Sequence, residues 1–209
     1  MFSPPADSRL LVQESIYPKV VKKLRDRIQT LRIGNPLDKN TDIGAINNKP
    51  QLEKIRELVQ CGADEGAEVV QPVCKLPERG YWYPPTFLTG VTASHRVAQE
   101  EIFGPVLSVM IPRSRDTPGK AFERANNTPY GLSAGVWTDK ESFRHLTPAL
   151  SPFEAEREKF FKLRVGVVWA NTYNKFDPTS LPRLRDGYKE SGFGREGGVQ
   201  GLAVYCRID

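Results

Sequence analysis

Two adjacent carboxylates, Glu100 and Glu101, stand in the run Gln99-Glu100-Glu101-Ile102-Phe103-Gly104-Pro105-Val106, just ahead of a Gly-Pro turn that opens an apolar strand. Acid held at a strand entrance has few uses in a core, whereas strand ends in α/β proteins are where ligand groups gather. No cysteine, serine–histidine pair or metal-ligating cluster accompanies the run in sequence, so it reads as one half of a site.

The remaining chemistry-bearing residue types narrow the choice further. Cys61, Cys74 and Cys206 are odd in number and lack C-x-x-C spacing, and only His95 and His145 could add nitrogen ligands. That argues against both a zinc site and a disulfide framework, and it suits a reducing, cytosolic compartment. The stretch Gly192-Phe193-Gly194-Arg195-Glu196-Gly197 spells G-x-G-x-x-G. A dinucleotide fingerprint also needs a preceding strand, a following helix and an acid about twenty residues downstream, so these read as loop glycines.

Elements able to position the acidic run follow from periodicity. With 209 residues, 39% of them apolar and 26% charged, the chain suits one globular domain with appendages. Residues 9–13 read as a short strand, after which Tyr17, Val20, Val21, Leu24, Ile28 and Leu31 recur at helical spacing until Gly34-Asn35-Pro36. A second helix starts at Asn48-Lys49-Pro50-Gln51, with an N-cap residue, an early proline and a glutamine placed for a capping box. Leu52, Ile55 and Val59 form its apolar face.

Residues 66–71 resemble a strand, and 81–88 an edge segment interrupted by prolines. Strands are expected over 106–111, 133–137 and 165–171, a helix over 119–126, a loop over 187–198 and a terminal strand over 201–208. Residues 138–162, punctuated by Pro148 and Pro152, read as an insertion or a rebuilt helix. Helices alternating with short apolar strands imply an α/β fold, a largely parallel sheet flanked by helices, with a C-terminal β arm. The net charge of +5 is interleaved with acids and apolar residues, as on a solvated surface rather than a nucleic-acid groove. No apolar run approaches the roughly 18 residues of a membrane span, so no membrane partner is expected.

Ser8-Arg9-Leu10-Leu11-Val12-Gln13, Gly34-Asn35-Pro36-Leu37-Asp38, the Glu100 to Val106 run, Ala125-Asn126-Asn127-Thr128-Pro129-Tyr130-Gly131-Leu132, Val168-Trp169-Ala170-Asn171 and Gly187-Tyr188-Lys189-Glu190-Ser191-Gly192 occur in that order. Each motif is moderately specific alone; in this order they are very specific. Together they resemble the C-terminal, catalytic-domain half of the aldehyde dehydrogenase superfamily, from Ser8 to about Tyr205. Asn174-Lys175-Phe176-Asp177 and residues 190–198 look most like the family 16 branch. The resemblance divides the chain into a divergent segment 1–7, a catalytic-domain-like region 8–198 and an arm 199–209.

The resemblance implies that Glu101 hydrogen-bonds the ribose beside the nicotinamide of NAD(P) and that Phe103 packs near that ring. A vicinal diol donates two hydrogen bonds, both of which an ionised carboxylate can accept. Gln51 and Lys54, on one helix face, match positions approaching the same ribose. Asn171 and Phe176 match the mouth of the aldehyde pocket. Plainer roles stand beside these: a salt bridge or solvated turn for either glutamate, core packing for Phe103, a capping box for Gln51, solvation for Lys54 and backbone satisfaction for Asn171.

The family reaction, as the resemblance implies it, is oxidation of an aldehyde to a carboxylic acid through a cysteine thioester, with an asparagine helping to stabilise the oxyanion and a glutamate activating the hydrolytic water. The thiol of family members lies four positions before the serine matched by Ser8, and here that position is Pro4. Proline is no nucleophile, and none of the three cysteines matches the position. The base, the oxyanion asparagine and the dinucleotide domain would lie upstream of these residues. Arg185 stands where an aromatic pocket wall is usual.

Two functional classes follow. In one the chain is part of an NAD(P)-dependent aldehyde dehydrogenase, inactive as an isolated chain. In the other it is a non-catalytic module of the same fold, acting through dimerisation or partner binding. Gly201-Leu202-Ala203-Val204-Tyr205 resembles the family arm that pairs with a neighbouring subunit, which implies a homo-oligomer.

Overall fold

The computed structural model describes residues 8–112, 118–137, 163–173, 188–192 and 205–206. Residues 8–112 form one compact unit, and the later described segments belong to a second.

In the first unit β1 (Arg9–Leu11) leads through a 3-10 turn at Glu14–Ile16 into α1 (Tyr17–Ile28). Pro18 occupies the first turn of α1, where no backbone N–H is needed, and Arg25 and Arg27 face the negative end of the helix dipole. The helix ends at Ile28, ahead of Gly34-Asn35-Pro36. Next comes α2 (Lys49–Asp64), capped as its sequence foretells: the Gln51 N–H donates to Asn48 Oδ1 at 2.8 Å. Then follow β2 (Glu68–Val70), β3 (Thr86–Val91), the single-turn α3 (Arg96–Gln99) and β4 (Val106–Met110).

These strands form one sheet in the order β1-β4-β3-β2. β1 and β3 both run parallel to β4, with Arg9 and Leu88 opposite Ser108, whereas β2 runs antiparallel to β3. Alternation along the strands divides the core between two faces. Phe87, Val109 and Val70 pack with Val12 under α1, while Leu88, Val91, Val106 and Met110 pack against Leu52, Ile55, Leu58 and Val59 of α2. Ser108 is fully buried, and its hydroxyl donates to the Val97 carbonyl at 3.0 Å, which ties β4 to α3.

One sequence expectation is overturned here. Residues 81–88 are not an edge segment: Thr86–Val91 lies inside the sheet, between β4 and β2, and all but Gly90 is buried. Pro84 and Pro85 precede the ladder instead of interrupting it, so its first N–H, that of Thr86, is present and donates to the Pro105 carbonyl at 2.8 Å. Gly90, at φ 72°, takes up the register shift between Leu88 and Val91. α3, a single turn, is too short to leave a periodic trace in the sequence.

In the second unit α4 (Pro118–Asn126) precedes β5 (Ser133–Val136), which pairs parallel with β6 (Val167–Ala170), Ser133 opposite Val167. Lys189 Nζ donates to the carbonyls of Asn126, at 2.6 Å, and Thr128, at 2.8 Å, which places a cation at the end of α4. Tyr188 N–H donates to the Gly131 carbonyl at 3.0 Å, and Gly131 N–H to Ser191 Oγ at 3.0 Å. Residues 188–192 thus include an isolated bridge at Lys189 and a turn, as the expected loop allows, and Gly192 has φ 88°. Of the expected terminal strand only Tyr205 and Cys206 are described; they form a turn and a bend and are exposed. Segment 1–7, with Pro4, and residues 138–162 lie outside the described residues, as do Phe176 and Arg185.

Candidate functional site

The acidic run is built against one face of α2. Residues three apart along a helix share a face, and Gln51, Lys54 and Glu57 each reach a different point of the segment 96–103. Gln51 Nε2 donates to the Phe103 carbonyl at 2.9 Å. Lys54 Nζ lies 3.6 Å from Glu100 Oε2. Glu57 Oε1 accepts from Arg96 at 2.6 Å. Helix and segment therefore run past each other in opposite senses, closed by contacts at three levels.

Close approach makes this zipper possible. A Cβ on Gly104 would lie 2.5 Å from Ile55 Cδ1, a fully buried atom group, so only glycine lets the turn after Phe103 rest on α2. The Gln51 side chain is consequently spent differently from a capping box. Its backbone N–H takes the Asn48 cap, while its amide holds the Phe103 carbonyl instead of reaching back to residue 48.

Glu100 is in a salt bridge. Arg96, one helical turn earlier, grips it with two nitrogens, Nε to Oε1 and a terminal nitrogen to Oε2 at 3.2 Å. The same guanidinium holds Glu57, and Lys54 lies 3.4 Å from Glu57, so two cations and two carboxylates alternate across α2 and α3. Arg96 hydrogen bonding, then the Arg96 and Lys54 charges, hold the Glu100 carboxyl below the usual range; Arg96 and Lys54 hydrogen bonding do the same for Glu57. The Arg96 guanidinium is shifted upward, chiefly by Glu100 and then by Glu57. All four side chains are partly exposed, so this network is open to screening by salt.

Glu101 is half-buried between these anchored neighbours, and Phe103 exposes 61% of its surface, so core packing does not account for its ring. Glu101 and Phe103 both stand on a stretch of backbone that Gln51 and the Glu100 ion pairs hold against α2. Sequence reasoning passed over Arg96 and Glu57. Arg96 and Glu100 do stand at helical i, i+4 spacing, but the Gly-Pro turn after them marks a strand entrance, and Glu57 stands three residues beyond Lys54.

Asn171 lies in the second unit. It is exposed at φ 51°, immediately after β6, and its N–H donates to the Val136 carbonyl at 2.9 Å. The left-handed conformation is one that asparagine tolerates better than most residues. Beside it Tyr173 packs edge-on against the buried Trp169 at 4.8 Å and lies 6.1 Å from Trp137. Cys61 and Cys74 are half-buried and Cys206 is exposed; none forms a disulfide.

Comparison with known proteins assigns the class. Residues 5–209 match the aldehyde dehydrogenase family, and the chain belongs to it. It is 36% identical over 202 residues to a cytosolic 10-formyltetrahydrofolate dehydrogenase of Xenopus tropicalis, matching 97% of this chain and 21% of that protein. A betaine aldehyde dehydrogenase of Mesorhizobium japonicum is 36% identical over 205 residues, 96% of this chain and 38% of that protein. Among solved structures, an NAD-dependent aldehyde dehydrogenase from Sinorhizobium meliloti superimposes with a TM-score of 0.79 at 36% identity, covering 95% of this chain and 36% of that one. A betaine aldehyde dehydrogenase from Staphylococcus aureus, solved with NAD+, gives 0.75 at 32% identity, covering 95% and 37%. The chain spans about a fifth to two fifths of the length of these relatives. The α/β architecture with its largely parallel sheet is that of the family.

Proposed function

We propose that this chain carries the cofactor-ribose side of an aldehyde dehydrogenase site and does not itself supply the thiol chemistry. The observation that carries the reading is Glu101, half-buried and set between two neighbours that α2 holds in place. Glu101 would accept the hydroxyls of the nicotinamide ribose, Phe103 would lie along the ring, and Gln51 and Lys54 would approach the same sugar. NAD(P), when bound, supplies a hydride acceptor. The chain's own part is to orient it: a carboxylate ionised at neutral pH accepts both ribose hydroxyl protons, and an aromatic face shields the ring from water.

For the aldehyde, Asn171 and Phe176 would line the pocket mouth. The nucleophile position holds Pro4, which carries neither a thiol nor a backbone N–H, and Cys61, Cys74 and Cys206 stand at other positions of the pattern. Aldehyde oxidation therefore belongs to the family and not to these residues alone. A reducing, cytosolic setting agrees with the three free thiols, and among the described residues no helix is long and apolar enough to cross a membrane. Homo-oligomerisation through residues 199–209 completes the reading. A non-catalytic module of the same fold is the second reading, and Pro4 favours it.

The test is an NAD titration followed by the backbone amide signals of residues 100–103. Signals in the wild type should move on adding NAD, and in Glu101→Gln the response should fall by roughly fivefold or more, as when a charge-assisted pair of hydrogen bonds is lost. An equal response in the two proteins refutes the ribose assignment.

A further inference from the structure

Arg96 joins two of the carboxylates beside the acidic run, Glu57 and Glu100. Its side chain grips Glu100, the residue just after α3, with two nitrogens and Glu57 on α2 with a third. Its backbone N–H donates to a further carboxylate, Glu65 Oε2 at 2.9 Å, near the far end of α2. Lys54, the other cation of the network, meets Glu57 and Glu100 at 3.4 to 3.6 Å, longer contacts than Arg96 makes with Glu57. Guanidinium forks fix direction as well as distance, whereas an ammonium acts as a point charge.

The consequence concerns Glu101, the next residue along. Its backbone is held on the far side by the Gln51 amide at Phe103 and on the near side by the Glu100 carboxylate. Ile102, buried in the core, fixes the far side as well, so the near side depends on Glu100, whose carboxylate Arg96 fixes in direction while Lys54 lies 3.6 Å away. Arg96 does this without being the ribose acceptor itself. It also balances the charge of Glu57 and Glu100 together with Lys54.

We propose that Arg96 is a positioning residue for Glu101, setting the aim of the ribose-accepting carboxylate by locking Glu100 to Glu57. The proposal rests on the ribose reading of Glu101. It makes cofactor contact depend on an exposed ion network one residue away from the contact, so a change at a residue that never meets the ligand should weaken binding.

The experiment is an NAD titration of the whole 209-residue chain, read at the backbone amides of residues 100–103 and at the side-chain carboxyl carbon of Glu101. Wild type, Arg96→Leu, Arg96→Lys, Glu57→Gln and Glu101→Gln are compared. Arg96→Leu should weaken the apparent NAD affinity roughly two- to fivefold, the range an exposed network supports. Arg96→Lys should recover part of that loss, because charge returns without the fork, and a purely packing role would not follow charge in this way. Glu57→Gln, a change at an exposed helix position, repeats the test should Arg96→Leu fail to fold, and it should weaken binding less. The proposal is overturned if the wild type and Glu101→Gln differ while Arg96→Leu, or Glu57→Gln in its place, matches the wild type. If the wild type itself does not respond to NAD, or Glu101→Gln responds equally, the ribose reading fails and this proposal falls with it.

Discussion

Gly104→Ala should disrupt the packing on which the site rests, and the size of the effect can be worked from the contact. The new methyl would lie 2.5 Å from Ile55 Cδ1 and 2.9 Å from Ile55 Cγ1, both closer than real Cβ contacts, and Ile55 has no accessible surface into which to turn. Overpacking of this kind costs about 1–3 kcal/mol. With a urea slope of about 1–2 kcal/mol per molar, the unfolding midpoint should drop by about 0.5–3 M. Ile55→Val removes Cδ1, the closer offending atom, and by itself costs about 0.5–1.5 kcal/mol. In the double variant the new methyl occupies part of the space vacated, so the two costs should fall short of their sum by about 1 kcal/mol or more. Urea unfolding followed by circular dichroism measures all three proteins. Additive losses would refute the claim that the turn after Phe103 rests directly on Ile55.

Two further outcomes follow from the same structure. Glu57 and Glu100 have carboxyls held below their ordinary range, so the unfolded chain takes up their protons first as pH falls. The stability they lend is complete above the unfolded carboxylate range and is lost as pH drops through their lower folded values. Hydrogen exchange at the amides of α3 should accelerate below about pH 4.5, apart from the intrinsic pH effect, and Arg96→Leu should show less of this change; identical profiles would remove the ion network from the account. For the thiol chemistry, NAD reduction in the presence of an aldehyde should stay at the background rate, and turnover abolished by Cys61→Ser, Cys74→Ser or Cys206→Ser would show that one of these thiols substitutes for the residue at position 4.

Much of the fold is legible in the sequence because periodicity reports burial. The spacing of Leu52, Ile55 and Val59 marks the face of α2, and Asn48 with Pro50 marks its start. The interior strand Thr86–Val91 is misread because two prolines sit next to it, and adjacency in sequence does not show whether a ladder begins before or after them. Within the site, Glu101 and Phe103 are found from their motif, but Arg96 is not. Its role depends on Glu57, which is 39 residues away in the chain and 2.6 Å away in space. A pair of that kind leaves no periodic trace; only folding brings it together. Glu100 and Glu101 look equivalent as letters, and the ion network that binds Glu100 to Arg96 shows only in the fold.

The central claim is that this chain presents a ribose-accepting carboxylate, and saturation-transfer nuclear magnetic resonance with NAD reads it from the ligand's side. Irradiating the protein should transfer saturation to the protons of the nicotinamide ribose, and Glu101→Gln should weaken that transfer roughly fivefold or more while leaving the protein's own spectrum folded. Transfer of equal strength in both proteins, or none to that ribose in the wild type, would contradict the account.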